Sequence, residues 1–233
     1  MRIANILRKV LRRLVPNNSV EKALGVDICE SGVMQNAIEL WHNMYKNEPP
    51  WRGGEDNVIP LNLPAAISEE FARLILTEFS MEVTGSPMAA FINEQLKDQL
   101  TDLNKFVEMY CADGAIVVKP FVTNIDENGK PTAIELDFVK AVDFFPCAFN
   151  NKGEITAAVF VEGKKIGDYL YTRLEYHELT GMTYTIINKA FKSEEIYQYN
   201  DDGTYAVRDR FRKEVPLSEV DEWAGLSEEP GII

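Results

Sequence analysis

The apolar positions of the first half of the chain recur every three or four residues, which is the spacing of amphipathic helices. Ser31 and the Ser86-Pro87 pair are typical of helix starts, and Gly114 follows the end of the last apolar stretch. That last helix would form a rod of about 38 Å. The pattern predicts helices over residues 3–15, 32–47, 65–82 and 86–112.

Beyond Gly114 the apolar positions alternate with polar ones, as in half-buried strands. The Asn128-Gly129 pair predicts a hairpin between strands 115–122 and 133–138. Residues 143–191 predict successive antiparallel strands joined by tight turns. A last hairpin is predicted between residues 195–199 and 204–208, with Gly203 in its turn.

The predicted fold class is therefore α+β, in which N-terminal helices, one of them long, precede an antiparallel β-rich meander. A basic amphipathic helix and a linker occupy residues 1–30, and a helical portion occupies 31–113. A β-rich portion follows over 114–215, and the Pro- and Gly-marked tail over 216–233 is predicted to be irregular.

The charge is strongly acidic and unevenly distributed, since 24 Lys and Arg face 37 Asp and Glu for a net charge of −13. The first 16 residues hold five basic residues and no acid, so the remainder carries −18. Duplex DNA attracts basic surfaces and repels acidic ones. The body of the chain is thus a poor candidate for tight DNA binding, although an acidic surface suits a conduit past which DNA slides.

The predicted helix over residues 3–15 carries its basic residues opposite its apolar stripe. A helix of this type docks on a partner or neighbouring subunit, lies on a membrane, or contacts phosphate groups. Docking on a protein is the favoured interpretation. The candidate residues for contact with a partner or nucleic acid are Arg2, Arg8, Lys9, Arg12 and Arg13.

The three cysteines, Cys29, Cys111 and Cys147, are widely spaced and form no C-x-x-C pair. They therefore predict free, mostly buried thiols in a reducing compartment rather than a disulfide framework or a zinc site. Charges interrupt the N-terminal apolar residues, so no signal peptide is predicted, and no apolar run reaches transmembrane length. No metal or cofactor is predicted.

The sharpest candidate for chemistry is Glu175 with His177, because alternate residues of a strand share a face and a carboxylate can orient an imidazole. The competing interpretation, an exposed cross-strand polar ladder, is favoured. The apolar stripe of helix 65–82 is expected to face inward and comprises Ile67, Phe71, Leu74, Ile75 and Phe79. Glu78 falls near this stripe, where a structural salt bridge would satisfy a buried carboxylate. The sequence contains no phosphate-binding P-loop, no G-x-S-x-G and no H-E-x-x-H, so no catalytic residue is predicted.

Two tryptophans are candidate interface anchors. Trp41 lies in helix 32–47, and Trp51 lies in a Pro- and Gly-rich loop. His42, beside Trp41, is expected to be exposed or half-buried.

Several ordered stretches resemble the portal proteins of tailed phages, the head–tail connector subunits of siphovirus-type and prophage genomes. They cover most of residues 35–226. The matching stretches are AIELWHNMYKNEPPW (37–51), PLNLPAAISEEFARLILTE (60–78), residues 114–120, DFVKAVDFFPCAFNNKG (137–153), YTRLEYHELTGMTYTIINKA (171–190) and LSEVDEWAGL (217–226).

The resemblance implies a non-enzymatic structural subunit of a homo-oligomeric ring, dodecameric in the full-length protein, at one capsid vertex of the virion. Such rings assemble in the host cytoplasm and form the channel for DNA packaging and genome ejection. Their implied partners are terminase, the major capsid or scaffold protein, head-completion proteins and transient double-stranded DNA, with no membrane. The part resembled is the outer, wing-like region, and the chain is expected to end before the stem and clip.

Two alternatives remain at this point. One is a hydrolase-type enzyme that uses Glu175 and His177. The other is a peripheral membrane or adaptor module that acts through the basic helix over residues 3–15.

Overall fold

The computed structural model describes residues 18–52, 59–127, 131–194, 197–199, 205–207 and 213–232. The predicted basic helix over 3–15 lies outside these described residues, and so do the candidate contact residues Arg2, Arg8, Lys9, Arg12 and Arg13.

The described helices are α1 (Asn18–Leu24), α2 (Gly32–Tyr45), α3 (Leu63–Leu76), α4 (Ala89–Gln99) and α5 (Leu103–Asp113). The described strands are β1 (Ile116–Ile125), β2 (Pro131–Lys140), β3 (Phe144–Phe149), β4 (Ile155–Ile166), β5 (Tyr169–Thr180), β6 (Thr183–Glu194), β7 (Tyr197–Tyr199), β8 (Tyr205–Val207), β9 (Lys213–Val215) and β10 (Gly231–Ile232). Short 3₁₀ turns occupy Ala141–Asp143, Leu217–Glu219 and Asp221–Trp223. Helices followed by antiparallel strands confirm the predicted α+β fold class.

The single long helix predicted over residues 86–112 is not confirmed, because two helices of 11 residues, α4 and α5, occupy that stretch. The break between them adjoins an anchor at the end of α4. The side-chain amide of Gln99 donates to the carbonyl of Ile134 at 2.5 Å, and its oxygen accepts from the backbone N–H of Leu136 at 2.5 Å. These bonds tie the end of α4 to strand β2. Gly114 ends α5 in the left-handed region, as predicted (φ 80°).

Two further helix predictions differ from the structure, and one is confirmed. Helix α1 occupies a stretch that was expected to be a linker, so that expectation was wrong. Helix α3 ends at Leu76 rather than at residue 82. The predicted capping role of Ser31 is confirmed, since its hydroxyl accepts from the backbone N–H of Met34 at 3.3 Å.

The described residues form two compact units. The first comprises the described parts of Met1–Ala37, Pro50–Ile59 and Asp143–Ile233, and the second comprises those of Ile38–Pro49 and Pro60–Val142. The hairpin of β1 and β2 therefore belongs with the helices, whereas the sequence division at residue 113 assigned it to the β-rich portion.

The first unit is built on an antiparallel sheet in the order β10-β6-β5-β4-β3, with β9 also pairing with β6. Strands β3 to β6 are the meander predicted over residues 143–191. The turn between β5 and β6 has two central residues, Gly181 and Met182, and Gly181 takes the positive φ of 65° that such a turn requires. The short hairpin of β7 and β8 was also predicted.

Each face of this sheet buries a separate apolar cluster. On one face, Val20 of α1 packs with Val159, Val161, Leu174 and Phe191. Lys189 of β6 donates to the carbonyl of Ala23 in α1 at 3.2 Å, which ties the helix to the sheet. The other face carries Tyr171, Ala190, Val215, Leu217, Val220 and Trp223. The tail predicted to be irregular thus supplies core residues, and Trp223 is almost completely buried.

The second unit packs its helices on the hairpin of β1 and β2, which pair in antiparallel register as predicted. The rings of Phe106 in α5 and Phe138 in β2 stack with their centroids 3.9 Å apart. Helix α3 packs beside α5 and buries Ser68 and Ala72. These contacts leave the opposite face of α3 uncovered.

Candidate functional site

A ladder of charged side chains crosses one face of the large sheet. Arg173, Glu175 and His177 alternate along β5, so all three side chains project from the same face. In antiparallel register, Arg173 lies opposite Glu162 of β4, and Glu175 lies opposite Asn188 of β6. The sequence-based expectation that Glu175 and His177 share a face is confirmed.

Arg173 joins three strands through its guanidinium group. It donates to Glu162 Oε2 from Nε at 3.0 Å and from Nη2 at 2.7 Å. Its Nη1 lies 2.9 Å from Glu175 Oε2 and donates to Asn188 Oδ1 at 3.2 Å. A guanidinium presents its donors in a rigid fork, so one arginine can fix the positions of several acceptors.

Both ring nitrogens of His177 are bonded. Nε2 bonds to Glu175 Oε1 and Nδ1 bonds to the hydroxyl of Tyr184. Because a carboxylate only accepts, Nε2 donates to Glu175, and Nδ1 accepts a hydrogen bond from the Tyr184 hydroxyl. Burial, followed by the charge of Glu175, raises the pKa of Tyr184, which keeps its hydroxyl protonated. Phe160 meets the imidazole edge-on, with centroids 5.0 Å apart.

The C-terminal segment closes over the ladder. The indole N–H of Trp223 donates to Glu162 Oε1 at 3.1 Å, and Asn188 Nδ2 donates to the carbonyl of Ser227 at 3.2 Å. Glu175 and His177 are both buried, which corrects the expectation of an exposed ladder. Both ring nitrogens of His177 are already bonded to Glu175 and Tyr184. The arrangement is therefore suited to fixing strands in register.

A second buried pair lies in the second unit. His42 Nδ1 donates to Asp113 at 2.9 Å, and the residues are only 7% and 2% exposed. The expectation that His42 would be exposed or half-buried was wrong, because α5 brings a carboxylate to it. Nearby, the hydroxyl of Tyr45 donates to Glu108 at 2.8 Å, and burial together with this bond raises the pKa of Tyr45 to about 12.

Two cysteines are hydrogen-bonded neighbours, Cys29 in the loop after α1 and Cys147 in strand β3. The thiol of Cys29 donates to the carbonyl of Cys147 at 2.8 Å, and the backbone N–H of Cys29 donates to Pro146 at 2.8 Å. Burial, together with the adjacent Cys29, raises the pKa of Cys147 to about 11. Cys29 itself is exposed, whereas a buried thiol was expected.

Helix α3 presents an apolar face to solvent. Ile67, Phe71 and Leu74 are 53, 55 and 55% exposed, and together with Ala66 and Glu70 they line a shallow groove. We call these five residues the α3 face. The prediction that the stripe of Ile67, Phe71, Leu74, Ile75 and Phe79 points inward was wrong, because α3 buries its small residues instead.

The remaining predicted residues are dispersed. Glu78 is exposed beyond the end of α3, so the expected buried salt bridge is corrected. The tryptophans Trp41 and Trp51 are both partly exposed, which leaves area for an interface at each. Part of the Trp41 ring lies against Gly114, where an added Cβ would be 3.6 Å from Cζ3.

Sequence reasoning missed Arg173, Tyr184 and Asp113. Arg173 could have been predicted from the sequence, because Arg, Glu and His at alternate positions of one strand share a face. Asp113 gave no local signal, since it meets His42 across 71 residues of chain.

Comparison of the chain with protein-family models, with curated proteins and with solved structures found no match to any of them.

Within the described residues, no helix combines the length and the apolar composition that crossing a membrane requires. The same part of the chain contains no group of three or more His, Cys, Asp or Glu residues placed to hold a metal ion.

Proposed function

We propose that this chain is a non-enzymatic structural subunit of a tailed-phage portal, a homo-oligomeric ring at the capsid vertex of the virion. The ring would form the channel for DNA packaging and ejection, and would dock terminase and head-completion proteins. Six stretches along the sequence resemble this family, and they fall in both compact units.

The observation that carries the proposal is the exposed α3 face. Apolar side chains at positions i, i+4 and i+7 of one helix normally face a protein interior. Here Ile67, Phe71 and Leu74 are more than half exposed in a single chain. Contiguous apolar surface of this kind marks an interaction site, and a ring subunit would cover it with its neighbour.

Two further features support a framework role. The polar atoms of Arg173, Glu175 and His177 bond to one another and to residues of the neighbouring strands β4 and β6. The net charge of −13 gives the surface low affinity for DNA, which suits a subunit past which DNA must slide. An α+β chain that combines helices with a β-rich unit is also what the resemblance implies for a portal wing.

Native mass spectrometry and negative-stain microscopy of the full-length product test the proposal. We expect a closed ring with a central channel. Phe71→Asp, which places a charge on the α3 face, should shift the mass distribution toward smaller species. Met182→Asp is the matched control, because Met182 is 99% exposed at a hairpin tip. A full-length product that stays monomeric at every concentration would contradict the proposal.

A further inference from the structure

We infer that the α3 face of one copy binds the N-terminal segment, residues 1–16, of a second copy. This inference rests on the proposed function, since it names the contact that joins neighbouring subunits.

The two stripes have similar lengths. The exposed apolar side chains of α3 extend from Leu63 to Ile75, and the apolar positions of the helix predicted from sequence over residues 3–15 extend from Ile3 to Leu14. The stripes span 12 and 11 residue steps, which in a helix correspond to about 18 and 16 Å. An amphipathic helix laid into an apolar groove uses this i, i+3, i+4, i+7 spacing of anchors.

The charges around the two stripes are opposite. Residues 63–82 contain four acids and one base, Arg73, for a net charge of −3. Residues 1–16 contain five bases and no acid. The acids Glu69, Glu70, Glu78 and Glu82 are all exposed, so they can face the basic side chains of a docked segment. Complementary charge of this kind favours one partner and fixes its register.

The same charges disfavour the other occupants. Two α3 faces brought together would place net charges of −3 against each other, and like charges across an interface are destabilising. An anionic lipid surface would likewise repel the flanking carboxylates of α3.

The symmetry of a ring also favours a contact between the N-terminal segment and the α3 face. A contact between two different surfaces, the N-terminal segment on one copy and the α3 face on the next, repeats head to tail and closes into a ring when the rotation allows it. A contact of the α3 face with itself would close a pair of chains instead.

A photo-cross-linking experiment on the full chain tests this inference. Phe71 is replaced by the photoreactive residue benzoylphenylalanine, and isotope-labelled and unlabelled chains are mixed before irradiation. We expect cross-linked peptides that join α3 to residues 1–16, including pairs that carry one label from each chain. Cross-links to another part of the chain, or pairs confined to one label, would overturn the inference.

Charge reversal gives an independent measurement. Arg8→Glu combined with Arg12→Glu should raise the concentration for half-assembly about tenfold, because two exposed ion pairs are lost. Adding Glu70→Lys and Glu78→Lys should restore assembly, whereas Lys152→Glu, in an exposed turn, should leave it unchanged. Failure of the restoring pair contradicts the inference.

The two proposals fail in different ways. A ring that forms normally in the Arg8→Glu, Arg12→Glu variant, with cross-links from residue 71 to another region, overturns the N-terminal docking but leaves the portal proposal standing. A full-length wild-type product that never assembles removes both.

Discussion

The imidazole of His42 lies 2.9 Å from the carboxylate of Asp113, and both residues are buried in the second unit. This contact joins α2 to the end of α5 across 71 residues of chain. A buried charge that loses its partner is strongly destabilising, whereas the pair as a whole contributes less than the loss suggests.

His42→Ala should therefore lower the free energy of unfolding by about 3 kcal/mol, because it leaves the Asp113 carboxylate buried without the imidazole. Urea denaturation followed by circular dichroism measures the effect. Replacing both residues, His42→Leu with Asp113→Leu, should cost less than His42→Ala alone. Asp168→Asn, in an exposed turn, is the control and should change stability by less than about 0.5 kcal/mol. A His42→Ala variant as stable as the control would contradict the structural role.

Arg173→Met is expected to destabilise the first unit by about 3 kcal/mol, since the methionine fills the space but leaves the buried Glu175 carboxylate without the guanidinium. The Arg173 side chain is only 13% exposed, and it pairs with both Glu162 and Glu175. Thermal or urea unfolding provides the measurement. Arg73→Met removes an arginine whose ion pair with Glu70 is largely exposed, so that control should cost far less stability than Arg173→Met. Equal losses in the two variants would show that the ladder adds no stability.

Gln99→Leu should weaken the attachment of α4 to β2. The substitution removes both side-chain bonds to the backbone of Ile134 and Leu136, and an unpaired backbone group costs about 1–3 kcal/mol if it stays buried. Hydrogen–deuterium exchange should show faster exchange at the Leu136 amide. Lys97→Leu, on the same helix, is the control. Unchanged exchange at Leu136 in Gln99→Leu would contradict the anchor.

The two neighbouring cysteines should differ in reactivity. Cys29 is exposed, whereas the pKa of Cys147 is raised to about 11. Since the thiolate is the nucleophile and Cys147 stays protonated below its raised pKa, iodoacetamide at pH 8 should modify Cys29 first. Modification of Cys147 should become fast only as the pH approaches 11. Peptide mass spectrometry on wild type and Cys29→Ser distinguishes the sites, and rapid labelling of Cys147 at pH 8 would contradict the structure.

The strands were predictable because their signals are local. Asn128-Gly129 and Thr180-Gly181 mark turns within a few residues, and alternation identifies the strands on either side. The direction in which α3 faces was not predictable, since periodicity identifies an apolar stripe but not what covers it. The helix instead buries its small residues Ser68 and Ala72 against the unit and leaves Phe71 in solvent.

The candidate sites, too, were predictable only where the signal is local in the sequence. Glu175 and His177 were predicted to share a face because they are two residues apart on a strand. The contacts beside them, between Trp223 and Glu162 and between Asn188 and Ser227, involve a distant segment of the chain and could not be predicted. Likewise, no Pro or Gly in the sequence predicts the break at the end of α4. The break lies next to the contact that Gln99 makes with β2.

The burial of Leu217, Val220 and Trp223 against the sheet has a practical consequence for dissecting the molecule. A shortened version that stopped at Val215, the last residue of β9, would remove the residues that cover Tyr171 and Ala190. It would also remove the Trp223 indole, whose N–H donates to Glu162. Limited proteolysis should accordingly spare the Leu217–Trp223 region, and any excised version of the β-rich unit should retain residues through at least Ile232, the last residue of β10.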